Sequence, residues 1–115
     1  MPSLVILVLY NLSHFEELLA AWHDAGAAEL TIVDGVGTRL PSEQASRDDL
    51  PLLPSIRDLL ESDDAPRRIV FTVVQDETVQ ALTDATERVL GDLRERGNGI
   101  LVVLPVSKVV GLQGS

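Results

Sequence analysis

Apolar residues in this chain are grouped in short continuous runs and in stripes of helical spacing. The first run, SLVILVLY from Ser3 to Tyr10, has the length and near-continuous hydrophobicity of a β-strand that is covered on both faces. The next segment, NLSHFEELLAAWHDAG, carries an apolar stripe at helical spacing and therefore predicts an amphipathic helix. The stripe consists of Phe15, Leu18, Leu19 and Trp22.

The two ends of this helix are also marked in the sequence. Ser13 and Glu16 have the S-x-x-E spacing of a capping box, and Gly26 is a helix stop. The segment ELTIVDGVG that follows predicts a second strand, which ends in a turn from Gly35 to Gly37.

The same order of elements returns in the second half of the chain. RRIVFTVV predicts a strand, DETVQALTDATERVLGDL a helix with Asp76 as its N-cap, and GILVVLPV a further strand. Two β-α-β halves in 115 residues predict one α+β domain, residues 1–115, with the ferredoxin-like βαββαβ fold: an antiparallel sheet with two helices on one face. The apolar stripe of the second helix consists of Val79, Leu82, Val89, Leu90 and Leu93.

The other face of such a sheet needs a cover as well. Strands that are apolar on both sides would leave a large apolar surface on a single chain, and such surfaces usually mark an interface. The pattern therefore predicts a homo-oligomer.

The connection between the halves, residues 38–66, is much longer than the usual about 4–6 residues. Its first part, PSEQASRDD, is typical of a loop, and Pro54 begins a predicted short helix. Long connections of this kind often carry function. The apolar side of the short helix consists of Ile56, Leu59 and Leu60.

Charge and composition exclude several classes of partner. Nine Lys and Arg against eighteen Asp and Glu give a net charge of −9, which opposes binding to nucleic acid and to anionic membranes. The apolar runs are too short to cross a bilayer, and the first lacks the features of a signal peptide. The absence of Cys excludes disulfides and thiol chemistry and fits a cytoplasmic location.

Residues suited to catalysis or metal binding are few. His14 and His23 are nine positions apart on one predicted helix and point to roughly opposite sides. The acidic residues Glu61, Asp63 and Asp64 lack the ligand spacing and the central Gly of a calcium loop. No G-x-S-x-G motif and no paired carboxylates at neighbouring strand ends are present. We therefore expect no catalytic residue, no metal site and no enzyme.

Two glycine elbows are the remaining candidate sites. The first elbow, Gly35 to Gly37, follows a strand, but Leu40 stands at the third glycine position of a dinucleotide-binding motif, which excludes that motif. The second elbow, Gly97 to Gly99, precedes the apolar run from Ile100 to Leu104, which predicts a buried strand ended by Pro105. Backbone N–H groups in such elbows can bind anions, but a simple turn explains the second elbow as well.

Taken together, DGVG, the long connection and GNGILVVLPVSKVVGL resemble the PII family of nitrogen regulators, over nearly the whole chain. The family's G-D-G-K-I loop is matched by Gly97 to Leu101, its L-P-V segment by Leu104 to Val106, and its G-x-G elbow by Gly35 to Gly37. Thr31 stands at a matching strand position. The resemblance implies a ferredoxin-like homotrimer that binds adenine nucleotides in the clefts between subunits and contacts target proteins through its long loop.

Positive charges that the family uses are missing here. Its loop lysine is Ile100, and two arginines after the L-P-V segment are Gly111 and Gln113, although Arg39 can compensate in part. A loop tyrosine for uridylylation is absent, because the only Tyr is Tyr10. No cofactor is therefore certain, and ATP, ADP or AMP is the candidate ligand. The ligand-binding residues implied by the resemblance are Thr31, Gly35, Val36, Gly37, Arg39, Gly97, Asn98 and Gly99.

The leading hypothesis is a non-enzymatic PII-like regulatory protein of nitrogen or related metabolism. It would sense a small molecule at subunit clefts and contact an unknown target protein through residues 38–66. A ligand-free trimeric interaction module is an alternative, motivated by the missing charges. A CutA-type metal-tolerance protein, which ends its last core strand similarly, is weaker because Cys and paired His are absent, and an acylphosphatase-like enzyme is the weakest because no arginine loop follows the first strand.

Overall fold

The structure is a computed structural model that describes residues 1–37, 66–95 and 97–112. The described residues form strands and helices in the predicted order βαββαβ. The strands are β1 (Pro2–Leu9), β2 (Thr31–Val36), β3 (Pro66–Gln75) and β4 (Gly99–Pro105), and the helices are α1 (Phe15–Ala25) and α2 (Asp76–Leu90).

The strands form a single antiparallel sheet in the order β2-β3-β1-β4. The central strands β1 and β3 pair over the whole length of β1, from Pro2 opposite Gln75 to Leu9 opposite Arg68. This arrangement confirms the predicted ferredoxin-like fold of the α+β class. The two edge strands, β2 and β4, lie at opposite sides of the sheet.

One face of the sheet packs against both helices and forms the core. Alternate residues of β1 and β3 point to this face and are buried, as the period of two in a strand requires. The single tryptophan, Trp22, is fully buried, and its indole Nε1 donates a hydrogen bond to the hydroxyl of Thr86, 2.8 Å away. The buried apolar core consists of Val5, Leu7, Leu9, Leu18, Trp22, Ala27, Val70, Val74, Leu82 and Ala85.

The beginning of α1 differs from the prediction. A 3₁₀ turn, Leu12–His14, precedes the helix, so that His14 is the N-cap and makes no side-chain capping bond. Ser13 belongs to this turn, and its backbone N–H and hydroxyl both donate to the side-chain oxygen of Asn11. The predicted capping box of Ser13 and Glu16 is therefore wrong, because the 3₁₀ turn places Ser13 one residue before the N-cap. The predicted stop at Gly26 is confirmed.

The bounds of α2 differ from the prediction at both ends. Asp76 is its first residue and Gln75 is the N-cap, so the predicted capping role of Asp76 is wrong. The carboxylate of Asp76 instead accepts a hydrogen bond from the hydroxyl of Ser3 in β1. The helix ends before Gly91, which has a φ of 89°, so Leu93, predicted as part of the apolar stripe, lies outside the helix.

The last strand is an edge strand, in contrast to the predicted buried one. It pairs with β1 on one side only, and Ile100 and Leu104 are 47% and 46% exposed in the single chain. Its end at Pro105 is as predicted. Pro66, the last residue of the predicted loop 38–66, is the first residue of β3, and the predicted short helix from Pro54 lies outside the described residues.

Candidate functional site

The sheet face that turns away from the helices is apolar across all four strands, and we call it the open face. The strand register places its side chains in cross-strand rows, such as Val33, Ile69, Val8 and Ile100. Ile6, at the centre, lies opposite Phe71 on one side and Val102 on the other. An apolar surface of this extent on a single chain indicates an interface. The open face consists of Leu4, Ile6, Val8, Val33, Ile69, Phe71, Val73, Ile100, Val102 and Leu104.

The two glycine elbows lie at the same end of the sheet but on opposite edges. One cross-strand row runs from Asp34 through Arg68 and Leu9 to Gly99. Three strand spacings separate the first elbow in β2 from the second elbow in β4, which is about 14 Å. Within one chain, the two elbows therefore cannot close on the same phosphate group.

The two glycines of the first elbow differ in what surrounds them. A methyl group on Gly37 would lie 2.5 Å from Nε of Arg67, so glycine is needed for that side chain to lie there. A methyl group on Gly35 would meet no atom of the described chain within 4 Å, and Gly35 has no positive φ. A glycine inside a strand weakens it and often marks the close approach of a ligand or another backbone. Val36 lies between them with an exposed side chain, and Arg39 lies outside the described residues.

Two arginines that were not among the predicted site residues lie beside the first elbow. Arg67 pairs with Gly35 across β2 and β3, and its guanidinium lies 4.4 Å from the centre of the Tyr10 ring. Arg68 lies 4.5 Å from the Phe15 ring centre, and its Nε donates to Asp34 at 2.8 Å. Asp34 balances the charge of Arg68, and Nη1 of Arg67 donates to the backbone oxygen of Pro66 at 3.3 Å. The RR pair before an apolar strand is visible in the sequence, but only the register places it beside Gly35.

The second elbow is explained by the packing of the chain itself. Gly97 has a φ of 89°, and Gly99 has a φ of 145°. A methyl group on Gly99 would lie 2.7 Å from the backbone oxygen of Val8, so there is no room for a side chain at this position. The side-chain amide of Asn98 donates to the backbone oxygen of Asp92 at 2.7 Å. These contacts favour the turn interpretation of the second elbow, because each residue already has a structural role.

Thr31 lies at the opposite end of β2 from Gly35, four residues and therefore about 14 Å away. It lines a cavity of about 320 Å³, which we call the Thr31 cavity and whose volume is within the range of small-molecule pockets. The lining combines the ring of Phe71 with the polar side chains of Glu29 and Gln75. The structure thus places Thr31 in a site that is separate from both elbows of the same chain.

Two negative observations apply to the described residues alone. In the three described ranges, no three His, Cys, Asp or Glu side chains come together in a way that could hold a metal ion. None of the described helices combines the length and the apolar character needed to cross a membrane.

Comparison with solved structures identifies the same fold in a known protein. The chain is similar to Bacillus subtilis GlnK in complex with ATP, with a TM-score of 0.61 and 23% identity over 92% of this chain and 82% of that chain. A second structure of B. subtilis GlnK matches with a TM-score of 0.59 and 25% identity over 92% of this chain and 85% of that chain. No protein-family model and no curated protein matches the sequence. The fold is therefore PII-like.

Proposed function

We propose that this chain is a non-enzymatic, PII-like regulatory protein of nitrogen or related metabolism that acts in the cytoplasm. It assembles as a homotrimer, senses a small molecule at the clefts between subunits and regulates a partner protein through residues 38–66. ATP, ADP and AMP are the candidate ligands. The fold shared with GlnK, which was solved in complex with ATP, supports this proposal.

The observation that carries the proposal is the bare backbone of Gly35 beside the guanidinium of Arg67. No described atom of the chain needs the space beside Gly35, and an arginine pairs with it across the sheet. Guanidinium groups and backbone amides are the donors that bind phosphate and carboxylate oxygens. The first elbow therefore has open space beside Gly35 next to a guanidinium, whereas at the second elbow the space beside Gly99 is filled by the backbone of Val8.

The open face supports self-association, and the number three comes from the family that the sequence resembles. Substitution of Ile6, at the centre of this face, tests the proposed self-association. Ile6→Glu would place a charge in the apolar contact and should convert the trimer to monomers, because burial of an unpaired charge is strongly unfavourable. Gln80→Glu on the exposed side of α2 adds the same charge and should leave the trimer intact. Analytical ultracentrifugation distinguishes the two results, and a monomeric unmodified protein contradicts the proposed assembly.

Charges at the second elbow differ from those of the resembling family. The side chain of Ile100 joins the open face, and Gly111 has no side chain to offer. A triphosphate held chiefly by neutral amides binds weakly, since charge-assisted hydrogen bonds are about twice as strong. We therefore expect this chain to bind a triphosphate more weakly than the family does, with Arg39 compensating in part.

The position of residues 38–66 links the proposed ligand to the proposed partner. This segment leaves the sheet after Gly37 and re-enters it at Pro66, which pairs with Val36. Both attachment points lie within two residues of the Gly35–Arg67 pair. A ligand bound there would contact the base of the segment, and its binding would favour some arrangements of the segment over others.

Native mass spectrometry with ATP, ADP and AMP, each at several concentrations, tests the ligand. We expect a trimer that binds up to three nucleotides. Gly35→Ala should keep the trimer but lower the affinity at least about tenfold, because the added methyl group occupies the space of the ligand and nothing else. Gln80→Ala, on the exposed side of α2, is the control with unchanged affinity. A trimer that binds none of the three, when a nucleotide-binding PII protein does so in parallel, contradicts nucleotide sensing.

A trimeric interaction module without a ligand is the second candidate. The second elbow favours it, because its glycines and Asn98 are fully explained by conformation and packing. In that case, a partner captured through residues 38–66 should bind equally with and without nucleotide. A partner whose affinity changes with nucleotide excludes this candidate.

A further inference from the structure

The outer surfaces of α1 and α2 leave a groove between them, which we call the helix groove. It has a volume of about 730 Å³. Ala20 and Ala81 in its lining are exposed, and Ala21 and Ala25 are half-buried against the core. Methyl groups project so little that the axis of another helix can come within about 8–10 Å of each of the two helix axes. The helix groove therefore has the shape to hold a third helix.

A buried hydrogen bond holds the two walls of the helix groove together on the core side. Nε1 of Trp22 in α1 donates to the hydroxyl of Thr86 in α2 at 2.8 Å, and this hydroxyl donates to the backbone oxygen of Leu82 at 2.7 Å. All three residues are fully buried. The helix groove is therefore preformed, and a preformed site binds with a smaller loss of conformational entropy than one that must first be ordered.

The charges along the helix groove are unequal at its two ends. α1 and α2 run antiparallel, because each follows one strand of the antiparallel pair β1 and β3, and the end of α1 lies beside the start of α2. Asp24 and Asp84 of the lining are therefore on one half of the groove, and Glu17 and Arg88 lie toward the other end. The charges of Glu17 and Arg88 offset each other, so two carboxylates are left without a counter-charge in the lining.

Neither of these two carboxylates is paired with a Lys or Arg of the described residues. The carboxylate of Asp84 accepts a hydrogen bond from the side-chain amide of Gln80 at 2.9 Å, which fixes its position without changing its charge. Nδ1 of His23 lies 3.8 Å from the carboxylate of Asp24, whose side chain is 85% exposed. The helix groove thus combines an apolar floor with exposed negative charge beside it.

We propose that the helix groove binds a cationic amphipathic helix of a partner protein. Small or apolar side chains of that helix pack on the alanine floor, and a Lys or Arg side chain lies between Asp24 and Asp84, where charge-assisted hydrogen bonds can form. The helices are on the opposite side of the sheet from the open face, so assembly through the open face leaves this site at the surface. Neither a nucleotide nor residues 38–66 take part in it.

The probe is a synthetic helical peptide with Ala and Leu on one face and Arg on both flanks of that face. A length of about 18 residues is sufficient for an isolated helix. Two matched peptides carry Gln or Glu in place of every Arg. In ¹⁵N–¹H correlation spectra, the Arg peptide should shift the amide signals of Ala20, Ala25 and Ala81 and leave that of Ile6 on the open face unchanged. Its Kd should be at least about tenfold lower than those of the other two peptides.

The same titration can overturn the proposal. Shifts confined to the open face, or no shift at a millimolar concentration of the Arg peptide, show that the helix groove is not a docking site. Equal binding of the Gln peptide shows that an apolar helix is sufficient and contradicts a cationic partner.

Charge reversal within the helix groove tests the two carboxylates. Asp84→Lys should raise the Kd of the Arg peptide about fivefold, since it replaces an attraction by a repulsion. Glu95→Lys makes the same charge change at an exposed position outside the helices and should leave the Kd unchanged, because exposed charges are screened at physiological salt. In the double variant Asp24→Lys/Asp84→Lys, the Glu peptide should bind more tightly than the Arg peptide. Equal losses in Asp84→Lys and Glu95→Lys mean attraction by net charge alone and overturn the site.

A pair of larger side chains tests the alanine floor. Ala81→Trp places a ring in the helix groove and should abolish binding of the Arg peptide. Ala28→Trp makes the same substitution at an exposed Ala outside the helix groove and should not affect binding. Thermal unfolding verifies that both variants are folded, and unchanged binding by a folded Ala81→Trp protein contradicts the proposal. No nucleotide enters these experiments, so a failure of nucleotide sensing and a failure of the helix groove are distinguishable.

Discussion

The first and the second elbow lie at one end of the same sheet, yet their glycines are present for different reasons. At the second elbow, Gly99 is fixed by the backbone oxygen of Val8, and Gly97 by a positive φ. At the first elbow, Gly37 makes room for Arg67, and Gly35 makes room for nothing within the described chain. The comparison teaches that a glycine motif indicates a ligand only where the fold does not already require the glycine.

The largest effect on stability should come from Gly99→Ala. Its methyl group would lie 2.7 Å from the backbone oxygen of Val8, and its φ of 145° is unfavourable for any L side chain. Strain of this kind and overpacking each cost about 1–3 kcal/mol, so we expect a loss of about 3 kcal/mol in the free energy of unfolding. Urea unfolding measures this loss. A loss below about 0.5 kcal/mol would show that β4 does not need glycine at this point.

A smaller loss should follow from Gly97→Ala, because only the backbone conformation opposes it. The φ of 89° costs a side chain about 1–2 kcal/mol, and there is open space around the added methyl group. Gly97→Asn should recover part of this loss, since Asn tolerates positive φ better than Ala. Thermal unfolding of both variants checks the order, and equal stability of the two would contradict a purely conformational cause.

A still smaller effect should follow from Asn98→Ala. The substitution removes the hydrogen bond from the Asn98 amide to the backbone oxygen of Asp92, which is worth about 1 kcal/mol or less at this exposed position. Nucleotide affinity should stay unchanged, because the amide is already engaged within the chain. Asn98 was among the ligand-binding residues expected from the sequence. A variant with unchanged stability and lost nucleotide affinity would restore that expectation.

The smallest effect on stability should come from Gly35→Ala. No atom of the described chain lies within 4 Å of the added methyl group, so the free energy of unfolding should change by less than about 0.5 kcal/mol. The same urea unfolding assay, run beside Gly99→Ala, checks this expectation. A loss above about 1 kcal/mol would mean that the first elbow also has a structural reason for its glycine, and the contrast between the elbows would disappear.

The fold could be predicted from the sequence because its apolar residues follow the spacing of strands and helices clearly. The residues from Ser3 to Leu9 and the stripe ending at Trp22 belong to their predicted elements, and the halves repeat in the predicted order. One local error arose before α1, where Asn11 caps a 3₁₀ turn and accepts a hydrogen bond from the hydroxyl of Ser13. The apolar run of β4 was predicted to be buried within the chain. Hydrophobicity alone does not reveal whether an apolar strand packs against its own chain or against another.

The candidate site was less predictable, because its geometry depends on strand register. Thr31 and Gly35 are close in sequence but lie at opposite ends of β2. Arg67 is far from Gly35 in sequence but pairs with it across the sheet. Contacts between distant segments determine each of these positions, and these contacts cannot be inferred from the spacing of residues along the chain.

The buried indole of Trp22 determines the fluorescence of the folded protein. It is the only tryptophan of the chain, it is fully shielded from water, and it lies on the helix side of the sheet, away from the open face. Its fluorescence emission should therefore lie at short wavelength in the folded protein and shift to longer wavelength on unfolding. Dissociation of the proposed trimer at the open face should leave the emission unchanged. The natural chromophore thus reports the integrity of the individual fold separately from the state of assembly.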